Sequence, residues 1–172
     1  MQITTTQFYK AYFFFAALLL ALFPLHLHAE SEKRPDIFIA PLAEVIGFSK
    51  EGASFGGGLA IGAEENGKAM GLRFLYAVDS ESVSIMELNV LMRFYFFEKD
   101  THNGLFVQLN GGCTLFSHER DNGLPEEDAG GFSVGVTAGW RFPFSKYFFV
   151  EPYIRAGYPY IAGLGVAAGF IF

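Results

Sequence analysis

The chain has 172 residues, 51% hydrophobic and 17% charged, and its 12 basic against 18 acidic residues give a net charge of −6. That balance excludes nucleic-acid binding, which depends on dense positive charge. Cys113 is the only cysteine, so neither an internal disulfide nor a thiolate metal site can be built, and it reads as a small apolar residue.

The first element is a processing segment. Residues 11–23 form a continuous apolar run preceded by Lys10, and a short polar stretch ends at Leu27-His28-Ala29, a small-residue cleavage site before Glu30. The run is too short for a transmembrane helix, which needs about 20 apolar residues. A cleaved leader over 1–29 is expected, leaving a single domain over 30–172. Lys10 is the leader's only charged residue, so the mature chain carries 11 basic and 18 acidic residues and a net charge of −7.

From residue 35 onward the apolar runs alternate, and the breaks between them are rich in Gly, Asn, Asp, Ser and Pro. The alternation predicts strands near 37–48, 54–63, 69–79, 83–97, 105–117, 132–142, 147–157 and 161–172. These are longer than the soluble mode of about 5–6 residues and near the ~9–11 of a tilted membrane strand. The even number suits an antiparallel barrel with both termini on one side.

Volume decides which face is inside. One face carries Met70, Leu72, Phe74, Tyr76, Met86, Leu88, Met92, Val134, Val136, Trp140 and many more large groups. An eight-stranded barrel only just accommodates ordinary side chains, so these belong outside, where only lipid suits them. The opposite face has Gly56, Gly58, Ala60 and Gly62 on the second strand and Gly163, Gly165, Ala167 and Gly169 on the eighth.

Aromatics gather by strand direction. Phe94, Phe96, Trp140, Phe142, Phe148, Phe170 and Phe172 fall at one end, and Phe55, Tyr76, Phe132 and Tyr158 make a sparser belt at the other. With its leader, eight alternating strands and terminal Phe172, the chain resembles the small eight-stranded bacterial outer-membrane barrels of the OmpX/Ail and OmpA-barrel type. The resemblance is architectural and covers essentially the whole chain. It implies an all-β, antiparallel, up-and-down transmembrane barrel, a monomer integral to the outer membrane. It also implies that Phe170 and Phe172 form the C-terminal signal read by the barrel assembly machinery.

The inward face holds Glu44, Arg73, Glu87, Asn89, Arg93, Arg141, Glu151 and Arg155, with Gln108, Asn110 and Thr137. Folding the third strand on the fourth sets Arg73 opposite Asn89 and diagonal to Glu87. Arg141 and Glu151 meet across the turn at 143–146, and Arg155 reaches toward Glu44 over the glycine-lined eighth strand. Buried charges must be paired to be tolerated. The expectation is a polar plug, with a charged conduit as the alternative.

Enzymatic chemistry finds little support. The mature chain has only His102, in a turn, and His118, beside Ser117, Glu119 and Asp121 at the start of a loop. Adjacent Ser and His point apart on a strand, which disfavours a dyad. Neither EKD–HNG nor DNGLPEED has the spacing of an EF-hand, and no phosphate-binding glycine motif precedes a helix. No cofactor and no metal are expected.

The first, second and fourth outer connections are expected to be about four to six residues, shorter than usual for the family. Residues 117–131 form the one long connection, with Glu119, Arg120, Asp121, Glu126, Glu127 and Asp128. The sequence thus points to a non-enzymatic barrel for envelope structure or adhesin-like surface interaction with a host or envelope partner. A narrow OmpW-like channel for small hydrophobic molecules is the alternative.

Overall fold

The computed structural model describes residues 35–48, 52–78, 83–97, 103–118 and 129–172. The expected leader over 1–29 and the charged loop residues Glu119, Arg120, Asp121, Glu126, Glu127 and Asp128 lie outside the described residues, as does His102.

The described residues form β1 (Asp36–Phe48), β2 (Gly52–Glu65), β3 (Lys68–Val78), β4 (Val83–Tyr95), β5 (Gly104–His118), β6 (Ala129–Pro143), β7 (Phe148–Tyr158) and β8 (Ala162–Ile171). Each strand pairs antiparallel with its sequence neighbour, and β8 pairs with β1 to close the barrel. Closure removes the sheet edges that hydrocarbon cannot satisfy.

The strands differ from expectation mainly at their ends. β2 runs two residues beyond 63, to Glu65, because Asn66 and Gly67 both take positive φ (50° and 75°) and close a two-residue hairpin. That geometry matches the right-handed twist of the flanking strands, and Asn-Gly supplies it at little cost. β4 stops at Tyr95, leaving Phe96 and Phe97 in a bend. β5 keeps His118 as its last residue rather than releasing it to the loop. The first, second and fourth outer connections span 49–51, 79–82 and 159–161; the second has the expected length, and the first and fourth are one residue shorter than the expected minimum.

The two faces separate as the volume argument requires. Leu59, Phe74, Leu88, Met92, Leu109, Val136 and Leu164 lie exposed on the outside. Ring pairs build the belt at the end that holds Phe172: Phe97–Trp140 (5.9 Å), Trp140–Phe142 (6.3 Å), Phe144–Phe148 (6.0 Å) and Phe148–Phe170 (5.3 Å). At the other end Phe132 and Tyr158 pair at 5.6 Å.

The lumen is less uniformly polar than the sequence suggests. Phe38, Ile46, Leu75, Ile85, Leu91, Phe106 and Phe149 are fully buried in it. Small residues in register make the room. On β7 the inward residues Phe149, Glu151, Tyr153 and Arg155 face Gly169, Ala167, Gly165 and Gly163 of β8. On β2, Gly62, Gly58 and Gly56 face Phe38, Leu42 and Glu44 of β1. A Cβ at Gly163 would stand 2.6 Å from a Glu44 carboxylate oxygen, so glycine there keeps the path to Arg155 clear.

Candidate functional site

The interior charges are brought to one place by alternation, which turns every second residue of each strand inward. Glu44 on β1, Arg73 on β3, Glu87 on β4 and Arg155 on β7 form one ring. Both arginines hydrogen-bond Glu44. Arg155 also binds both oxygens of Glu87, Nη1 at 2.7 Å and Nη2 at 2.9 Å. Arg73 Nη1 completes the ring 3.6 Å from Glu87 Oε1. Tyr153 Oη donates to Glu44 at 2.8 Å, and Asn89 donates to Glu87 while accepting from Ser133 at 2.5 Å.

A second group lies toward the barrel end that holds Asp36 and Phe172. Glu151 on β7 accepts from Arg93 Nη1 and from Arg141 Nε, both at 2.6 Å. Arg141 Nη1 reaches Glu64 on β2 at 2.7 and 2.9 Å. Tyr95 closes this ring, accepting from Arg93 and donating to Glu64, each at 3.1 Å. Four arginines therefore meet four glutamates, and the ionised clusters carry no net charge.

Between the rings runs a hydrogen-bonded string. Arg93 Nε donates to Gln108 (2.9 Å), Gln108 to Asn110 (2.6 Å) and Asn110 to Thr137 (2.9 Å). Aromatic faces cover the guanidinium groups: Arg93 over Phe106 at 4.0 Å, Arg141 over Phe149 at 3.9 Å and Arg155 over Tyr160 at 3.8 Å. Such contacts strengthen when water is excluded. A cavity of about 20 Å³, lined by Arg73, Arg93, Gln108, Glu151 and Tyr153 among others, lies between the rings, with room for about one water. At the barrel end beside Asp36 and Phe172 an open space of about 640 Å³ is bordered by Asp36, Glu64, Lys146 and Phe149.

All eight interior residues picked from the sequence lie buried in this lumen. Glu64, Tyr95 and Tyr153 were not picked out. Glu64 lies one residue past the expected end of its strand, and the Asn-Gly hairpin was the signal that would have extended it. The two tyrosines sit on the inward parity of β4 and β7, but their ring bulk alone suggested nothing about bonding.

Outside the lumen, Cys113 is buried with Sγ 3.6 Å from the Leu88 carbonyl. Phe170 meets Phe148 as a tilted ring pair, and Phe172 exchanges backbone hydrogen bonds with Ile37 at 2.8 and 3.1 Å. Among the described residues no group of three His, Cys, Asp or Glu is placed to hold a metal ion.

No protein-family model matches the chain, and no curated protein sequence matches it. Solved structures do. The N-terminal β-barrel domain of Pseudomonas aeruginosa OprF aligns over 81% of this chain and 100% of its own, at 14% identity and a TM-score of 0.58. Neisserial surface protein A aligns over 83% and 98%, at 13% identity and a TM-score of 0.55. Ail, the attachment invasion locus protein of Yersinia pestis, in complex with the heparin analogue sucrose octasulfate, aligns over 81% and 100%, at 14% identity and a TM-score of 0.54. Taken with the closed eight-stranded wall and its apolar exterior, these likenesses identify the chain as having the fold of the small eight-stranded outer-membrane β-barrels.

Proposed function

We propose that the protein is a non-enzymatic, non-conducting barrel of the outer membrane, exported by a cleaved leader over 1–29 and serving envelope structure. The observation that carries this reading is the cross-braced lumen. Two arginine–glutamate rings cross the lumen, and a cavity of about 20 Å³ lies between them. A narrow channel for small hydrophobic molecules needs a continuous apolar tunnel, and the bonded charges work against one. The outward apolar wall and its aromatic belts support integration in lipid. Phe170 and Phe172 serve as the assembly signal in this reading.

A second component is surface interaction through the expected loop 117–131, of which 119–128 lies between β5 and β6 and is the one outer connection long enough to present an epitope. Ail supports it as a barrel of this fold described as an attachment protein. The acidic loop here favours a cationic or neutral partner over a sulfated polyanion of the kind bound to Ail.

Solute uptake into proteoliposomes tests the main reading. Vesicles containing the folded barrel should exclude small sugars and hydrophilic dyes as well as protein-free vesicles do. Uptake that scales with protein content would overturn it.

A further inference from the structure

Six of the eight seams of the wall pair without interruption, and two do not. Along β1–β8 the pairing steps from Ile39–Phe170 to Leu42–Ala167, skipping Ala40 and Pro41. Along β6–β7 it steps from Gly139–Tyr153 to Phe142–Val150, skipping Glu151 and Pro152. Each gap contains a proline in mid-strand, where proline is ordinarily excluded.

The direction of the lost bonds follows from parity. Ile37 exchanges backbone bonds with Phe172, so the odd residues of β1 direct their amides at β8. Pro41 is one of these and has no N–H. Phe144 N donates to Phe148 O, so the even residues of β7 face β6, and Pro152 is one of them. Ala168 on β8 and Trp140 on β6 thus lose their ladder donors within a lipid-facing wall, where an unmet carbonyl is costly. Both losses fall on the outer edges of the same hairpin, β7–β8. Its internal seam is unbroken from Phe148–Phe170 to Ala156–Ala162.

What the hairpin lacks in ladder bonds it has in interior charge. Glu151 binds Arg93 and Arg141, Arg155 binds Glu44 and Glu87, and Tyr153 donates to Glu44. Inward-facing β8 positions Gly163, Gly165, Ala167 and Gly169 offer no side chain that could add a bond. The small cavity lies directly behind, against Leu42, Glu151, Tyr153 and Ala167.

We propose that the β7–β8 hairpin is a panel of the wall, latched from inside by the ion pairs of Glu151 and Arg155. It parts from β1 and β6 at the two proline breaks and so opens the lumen sideways toward the surrounding lipid. The axial route stays closed while the panel moves.

Hydrogen exchange by NMR on the full folded barrel in lipid nanodiscs tests this. Even residues of β8 donate to β1 and odd ones to β7. Protection at Leu164, Val166 and Phe170 should therefore be at least about tenfold lower than at Gly165, Ala167 and Gly169, as for a unit that opens together. Glu151→Gln should lower protection further along both outer seams. The double substitution Pro41→Ala and Pro152→Ala, which restores both donors, should raise it at least about threefold. Equal protection on the two edges of β8 would overturn the proposal, as would fast exchange confined to the neighbours of the prolines. If Glu151→Gln does not fold, the wild-type pattern and the proline variants decide alone.

Discussion

Arg141 on β6 and Glu64 on β2 are joined across the full width of the barrel, Nη1 to carboxylate at 2.7 and 2.9 Å, from strands four places apart in the closed order. Neither side chain retains measurable solvent contact. The pair acts as a strut, and it ties together strands that share no backbone bond.

Breaking that strut should be costly. Arg141→Ala takes the bidentate guanidinium from Glu64 and leaves Glu151 with Arg93 as its cation, and losing one partner of a buried pair costs about 3–5 kcal/mol. Glu87→Ala should cost a comparable amount because it strips Arg155 of two bonds. Ser84→Ala, on the outward parity of β4, should stay within about 0.5 kcal/mol. Urea unfolding in lipid vesicles, followed by tryptophan fluorescence, would measure all three. Equal costs would mean that the interior charges are hydrated and not braced.

The glycines of β8 should resist even small additions. A Cβ at Gly165 would stand 2.8 Å from Tyr153 Cε2, and this ring cannot retreat without giving up its bond to Glu44. Gly165→Ala should destabilise by about 1–3 kcal/mol, the usual cost of overpacking. Tyr153→Ala in the same chain should relieve the clash, so the double variant should cost less than the sum of the two single variants. Strict additivity in the same unfolding assay would show that the ring and the glycine do not compete for space.

Much of this architecture was legible from alternation. The eight strands, their inward parity and the pairs Arg73–Glu87 and Arg141–Glu151 follow from period 2 and short turns, and Arg155–Glu44 from the glycine-lined strand between them. The long-range partners do not. Arg93 reaches Glu151 from β4 to β7, and strand pairing by itself specifies neighbours rather than what meets across a lumen. Glu64 was hidden by ending its strand two residues early. Phe38, Phe106 and Phe149 were hidden because the same volume argument that sends large groups outward says nothing of the space that opposed glycines create. Pro41 and Pro152 sit inside well-patterned strands, and alternation is blind to a missing N–H.

Lipid contact should show as a depth-dependent penalty. Leu88 lies on the outer face, paired with Phe74 and Cys113 and between the two aromatic belts. Leu88→Arg should cost about 2–4 kcal/mol, whereas Phe142→Arg near the belt should cost only about 0–1 kcal/mol. Reversible folding into vesicles would read both. A tolerated Leu88→Arg would mean that this face does not meet hydrocarbon.

The chain end and the long loop make separable predictions in cells. Phe172→Ala should reduce the amount of heat-modifiable barrel while leaving export across the inner membrane unchanged, as shown by leader cleavage. Trypsin added to intact cells should cut at Arg120 and spare the strands. Replacing 119–129 with a short Gly-Asn turn should leave folding intact, since loop-closure cost changes only slowly with length. Surface binding that survives the deletion would rule out the loop as the contact site.

The central claim, a lumen closed by charge, is tested most directly by single-channel recording in planar bilayers. The purified wild-type barrel, confirmed as inserted by its heat-modifiable mobility, should stay electrically silent across a wide voltage range. Stepwise, ohmic currents from the wild type would contradict the account and make a conducting pore the better description.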